Sequence, residues 1–361
     1  MNVALRRRFK AAVAVAAVTG AATAMVAPHA SAETLLIESF RNDDVANSAA
    51  WSSGGSGDSE PGWPGGACLT AGTNSEQSPI PGCALASPDA PGSGVLRLTP
   101  NSVSTAGFAL YNEALPTTGG LDITFMQSQW GAEGQAADGL AFFLVDGSTN
   151  LTEPGLAGGG LGYSAGWYGG STDGPGIDKW GNFSDPGATG SGCASGSGVG
   201  SAGPGQTPNV VAIRGPGNGS AGYCWLGASA ALGNILYGDN TRAGAAVEVH
   251  VVIDPSTTTD PQVTVYMNDV EVLKMDQPAE LLESTSFKFG FSGATGTITD
   301  VHEVWGLEIE SVIPVPPSTT TTTTTTTTEP SNGSTSTTTP GSPTPATPAT
   351  PVAAGDLDYT G

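Results

Sequence analysis

Apolar residues in this chain come in short alternating runs, and nowhere do they keep the 3.6-residue period of an amphipathic helix over a useful length. Gly94–Thr99 and Leu121–Met126 alternate, and Val247–Ile253 is rich in valine. Val263–Met267 runs into Asn268-Asp269, a hairpin-turn pair, and Val270–Leu273 returns. Phe287–Phe291 and Val304–Ile309 complete the series. Between them the chain is glycine-rich, above all from 154 to 222, so long ordered loops must join the strands. Strands with one apolar face bury it by stacking sheets, and the expected fold is an all-β sandwich or jelly roll.

Composition sets the limits of that domain. Arg6, Arg7, Arg8 and Lys10 precede an Ala/Val-rich run to Val26, and Ala30-Ser31-Ala32 is a small-x-small cleavage site, so residues 1–32 read as a secretory signal peptide. After Val312 the chain turns to Pro and Thr, including an unbroken threonine run from Thr319 to Thr328. Such a segment has no core to bury, and 313–355 is expected to be an extended, disordered linker. One β domain therefore spans 33–312. Without the leader, 7 basic side chains face 33 acidic ones. That balance excludes a nucleic-acid partner, because no basic patch can be assembled against phosphates. Oligomeric state is not legible.

The four cysteines are Cys68, Cys83, Cys193 and Cys224. An even count in an exported chain implies disulfides. Of three connectivities, the short-range one is expected, Cys68 with Cys83 and Cys193 with Cys224, each stapling a Gly/Pro/Ser-rich loop.

Three segments carry candidate chemistry. Ala137-Asp138-Gly139-Leu140-Ala141-Phe142-Phe143-Leu144 is apolar enough to be buried on both faces, which makes the Asp at its mouth costly unless it has partners. In Gly158-Gly159-Gly160-Leu161-Gly162 the glycines would let backbone N–H groups approach a ligand closely. Gly176-Ile177-Asp178-Lys179-Trp180-Gly181-Asn182-Phe183-Ser184-Asp185-Pro186 offers carboxylate, amide and carbonyl oxygens, the hard donors calcium takes. Taken singly these are also a turn Asp, a flexible loop and a turn-rich surface loop.

Taken in order, ADGLAFFL, a Gly-Gly-x-Leu-Gly turn and D-x-W-x-N-x-x-D-P resemble the legume-type (L-type) lectins. Phe291-Ser292-Gly293-Ala294-Thr295-Gly296, followed by His302-Glu303-Val304-Trp305, is similar to the end of that domain. The resemblance covers most of 33–312, with 41–92 and 187–222 as apparent insertions. It implies a concanavalin A-like jelly roll that binds carbohydrate. Asp138, after a cis peptide, would accept sugar hydroxyls; Gly159 and Asn182 would donate to the sugar; Trp180 would stack on the ring; Thr297, on a short fourth loop, would add a contact. Asp178, Asp185, the Asn182 amide oxygen and the Trp180 carbonyl would hold Ca2+. Family members from plants bind a second, transition-metal ion through a Glu and a His. Gly176 and Gly190 stand at those places, so no second metal is expected.

Related jelly rolls include retaining glycosidases, which need two Glu flanking an Asp on one strand; the segment 176–180 has none. The chain therefore reads as a binding protein for glycans and not as an enzyme, with an inert surface scaffold as the alternative. At 356–361, Leu357-Asp358-Tyr359-Thr360-Gly361 resembles a sortase sorting motif that would join Thr360 to peptidoglycan, although no apolar helix or basic tail follows it. The expectation is a secreted bacterial lectin, displayed on the cell wall for adhesion.

Overall fold

The computed structural model describes residues 32–313, apart from 58–60, 75–78, 133, 150–153, 164–173, 234, 237–239 and 256. The expected leader, the Thr/Pro linker and the Thr360 motif lie outside the described residues. The strands, in chain order, are β1 (Thr34–Glu38), β2 (Trp51–Ser56), β3 (Cys68–Leu69), β4 (Leu96–Thr99), β5 (Ala106–Pro116), β6 (Leu121–Trp130), β7 (Gly139–Asp146) and β8 (Gly174–Asp178). They continue as β9 (Val210–Arg214), β10 (Gly217–Asn218), β11 (Ala221–Gly222), β12 (Trp225–Ala228), β13 (Ala246–Ile253), β14 (Gln262–Met267), β15 (Val270–Asp276), β16 (Ser286–Ala294) and β17 (Val301–Glu310). Among the described residues the α-helical content is the single turn and a bit of Ala279–Glu283, and no helix is long and apolar enough to cross a membrane.

Two large antiparallel sheets form a jelly-roll sandwich. One runs β15-β14-β13-β6-β17-β4-β3, with β1 pairing the far half of β17; the other runs β12-β9-β8-β7-β16-β5-β2. The alternation in the sequence becomes the interface between them. Ile123, Phe125, Val249 and Val251 point inward from one sheet and meet Leu140, Phe142, Phe289 and Phe291 from the other. The Phe125 ring lies 5.0 Å from Phe291 and 6.0 Å from Phe142. The Asn268-Asp269 turn has φ of 49° and 65°, the left-handed pair that a tight hairpin between β14 and β15 requires.

Strand β7 is buried on both faces. Its second face belongs to a smaller core in which Ala141, Phe143 and Val145 pack with Leu161, Tyr163, Phe183, Val210, Ala212 and Tyr223. Loops therefore cover the outer face of this sheet. The cysteines pair as Cys68–Cys83 and Cys193–Cys224. The stretches 41–92 and 187–222 are more than insertions. Trp51–Ser56 forms the outer strand beside β5, and Val210–Arg214 lies between β8 and β12. The first escapes a reading by apolar alternation because it is Trp-Ser-Ser-Gly-Gly-Ser.

Candidate functional site

The site forms where β7 and β8 meet the loops over the outer core. Asp138 enters β7 through a cis Ala137–Asp138 peptide. Its carbonyl oxygen accepts the Lys179 and Trp180 amides at 3.0 and 3.2 Å, which fastens the turn after β8 to the start of β7. Its side chain is 3% exposed, and Oδ2 has no hydrogen-bond partner in the protein. Burial pushes the carboxyl up to about 7, against the opposing pull of the Gly296 amide.

The second segment makes a tight turn, Gly158–Gly160, anchored by the Gly158 amide on the Thr295 carbonyl at 3.1 Å. A Cβ at Gly159 would lie 2.3 Å from the Asn182 Cβ, so only glycine permits this approach. In the third segment Asp178 is fully buried and organises the turn. Its Oδ1 accepts the Gly181 amide at 2.6 Å and its Oδ2 the Phe183 amide at 2.8 Å. Burial, and then the charge of Asp138, push the Asp178 carboxyl up to about 8, although those amides favour its ionised form. Asp185 Oδ1 accepts the Gly187 amide at 2.8 Å, and the Trp180 carbonyl accepts from Gln206 Nε2 at 3.0 Å.

These pieces surround one cavity of about 260 Å³. Asp138, Gly159, Trp180, Asn182 and Thr297 all line it, as does Asp185. Asp178 lies beneath it and does not line it. Trp180 and Asn182 are half-buried and Thr297 is exposed at the rim. Leu156, Gly296 and Ile298 also face the cavity; Gly296 closes the Phe291–Gly296 motif, whereas Leu156 and Ile298 carry no signal in the sequence beyond their nearness to the motifs. Arg214 does not line the cavity; an arginine that ends the apolar run Val-Val-Ala-Ile is nevertheless a flag in the sequence, since a buried charge demands partners.

The donors of the 178–185 turn are all oxygens, which suits a hard divalent cation and not a soft one. Among the described residues no three His, Cys, Asp or Glu side chains are grouped closely enough to hold a metal. A cation here would thus draw on the Asn182 amide and the Trp180 carbonyl in addition to the two carboxylates. At the places where the resemblance would put further ligands, space is filled. A Cβ at Gly176 would lie 2.5 Å from Phe183 Cδ1, and one at Gly190 would lie 2.7 Å from the Ala221 carbonyl carbon.

No protein-family model matches the sequence, and no curated protein matches it. Among solved structures, lectin I-B4 from Griffonia simplicifolia, in its metal-free form, is similar at 14% identity over 76% of this chain and 98% of that one, with a TM-score of 0.45. A lectin from Bauhinia forficata in complex with GalNAc is similar at 16% identity over 78% and 100%, with a TM-score of 0.45. The exoplasmic/lumenal domain of VIP36, in a form bound to Ca2+ and mannose, is similar at 15% identity over 62% of this chain and 80% of that one, with a TM-score of 0.41.

Proposed function

We propose that the cavity binds a sugar ring and that the 178–185 turn holds a calcium ion beside it. The observation that carries this reading is the Asp138 carboxylate: buried, with Oδ2 unpartnered, at a cavity that glycine backbone, the Asn182 amide and the Trp180 indole also line. A buried acceptor without a donor is costly, and a ligand bearing hydroxyl donors relieves that cost. A pyranose offers hydroxyls on its rim and C–H groups on its faces. Asp138 would accept from two hydroxyls, Asn182 and the Gly159 backbone would donate, and Trp180 would cover an apolar face. Thr297 would contact the ring from the fourth loop.

Asp178, Asp185, Asn182 and the Trp180 carbonyl would hold the calcium. The ion would supply positive charge to two carboxylates that burial otherwise pushes toward their protonated forms. Hydrolysis fits this arrangement poorly. Asp178 lies below the cavity with its oxygens turned to backbone amides, and this reading gives Asp185, the other carboxylate that lines the cavity, to calcium, so neither serves as the partner of Asp138 across a glycosidic bond.

We read the domain as an exported glycan-binding module, held off a cell wall by the Thr/Pro segment if Thr360 is a sortase acceptor. A glycan array probed in saturating calcium and again in chelator tests the binding reading. Calcium-dependent binding to defined glycans is expected; no binding in either condition would return the domain to an inert scaffold. Recovery in the wall fraction, with and without sortase, tests the display.

A further inference from the structure

Arg214 ends strand β9 and is fully buried. A guanidinium has five N–H donors and keeps its proton, so burying one is tolerable only when those donors are met. Here they are met almost entirely by backbone. Nε donates to the Phe183 carbonyl at 2.5 Å and Nη2 to the Asp185 carbonyl at 2.8 Å. Nη1 donates to Thr189 Oγ1 and to the Tyr223 carbonyl, each at 2.6 Å. The Ala202 carbonyl lies 3.4 Å from Nη2, and the Phe183 ring centroid lies 5.4 Å from the guanidinium carbon.

Three of these acceptors belong to 183–189, the stretch that begins directly after Asn182 and contains Asp185. The other two, Ala202 and Tyr223, lie between the cysteines of the Cys193–Cys224 disulfide. Among the described residues no carboxylate pairs directly with Arg214. The Asp178 and Asp185 charges act on it from a greater distance. One planar cation thus joins the site turn, the disulfide loop and strand β9.

We infer that Arg214 is a positioning residue, a built-in cation that pins 183–189 from inside and so sets Asn182 and Asp185 in place before any metal binds. Its consequence for binding rests on the proposed calcium and sugar site; its effect on the order of the turn does not. A lysine in its place would keep the charge but could not reach five acceptors in one plane.

The test uses the full chain, as wild type and as Arg214→Lys. Amide hydrogen exchange in chelator is expected to show 183–189 protected in the wild type. In Arg214→Lys those amides should exchange at least about tenfold faster, while β6 and β13 are unchanged. Titration with calcium alone, at a temperature well below the unfolding midpoint of both proteins, should show at least about tenfold weaker binding by the variant. Wild-type 183–189 exchanging freely in chelator would overturn the inference, even should the variant fail to fold. So would Arg214→Lys with wild-type protection. Arginine-dependent protection in a wild type that binds no calcium would uphold this inference and defeat the calcium reading alone.

Discussion

Lys179 Nζ lies 2.7 Å from Asp300 Oδ2, and both side chains are buried. The pair joins the turn between Asp178 and Trp180 to the end of the loop that carries Thr297. Lys179 also donates to the Gln129 carbonyl at 2.7 Å, so the contact reaches into β6. Removing one member of a buried pair strands the other charge, which costs about 3–5 kcal/mol. Lys179→Met and Asp300→Asn should each lower the free energy of unfolding in denaturant by an amount of that order. The double change Lys179→Met/Asp300→Asn should cost less than the sum of the two single changes, because no charge is left behind. A double variant as unstable as the sum of the two would contradict this account.

Next to this pair, His302 gives the fold a sensitivity to acid. Its ring is fully buried, with Nδ1 2.6 Å from Thr99 Oγ1. Burial, and then the Lys179 charge, hold its pKa down at about 3, from 6.5. Below pH 6.5 the unfolded chain takes up a proton that the folded chain refuses until near pH 3. Stability is therefore lost as pH falls through that window, by about 1.4 kcal/mol per pH unit from this residue. Near pH 5 the loss should be about 2 kcal/mol. Asp300, whose pKa burial raises, has the opposite sign. Unfolding of wild type and His302→Asn, compared across pH, isolates the histidine; parallel profiles would rule the effect out.

Asp138→Asn separates binding from folding. The lost Oδ2 has no partner in the protein, so the change removes an acceptor without breaking a contact there. The expected outcome is loss of sugar binding, with the free energy of unfolding within about 1 kcal/mol of wild type. A glycan array and a denaturant titration on the same sample check it. Undiminished sugar binding by this variant would remove Asp138 from the site.

The all-β class is legible because buried and half-buried positions alternate along β13 and the first half of β6, and the buried face of each meets the opposite sheet. The cavity is legible for a different reason. Asp138, Gly159, Trp180 and Asn182 each sit within a short segment whose order along the chain is itself a pattern. What supports the cavity is not legible. Lys179 and Asp300 are 121 residues apart, and Arg214 lies 31 residues from the Phe183 carbonyl that it holds. Nothing local to a buried charge names its partner; only the closed fold brings the partner near. Strand β2 is hidden because its pairing with β5 rests on backbone hydrogen bonds, to which serine and glycine contribute as well as valine does.

Asp178 has two separable tasks, and paired substitutions distinguish them. Its oxygens accept the Gly181 and Phe183 amides, and in the proposed site the same carboxylate binds calcium. Asp178→Ala leaves both amides buried without acceptors, at about 1–3 kcal/mol each, partly offset by no longer burying a carboxylate. Asp178→Asn keeps one acceptor oxygen and turns an NH2 toward the other amide, so it should be the more stable of the two. Both changes delete the negative charge, and both should lose most of the calcium affinity. Calorimetric titration with calcium, set beside hydrogen exchange over 181–183, reads the two tasks independently. The alanine variant should lose protection and calcium together, the asparagine variant chiefly calcium. Wild-type calcium affinity in Asp178→Asn would remove this carboxylate from the metal set and leave it the turn-building task alone.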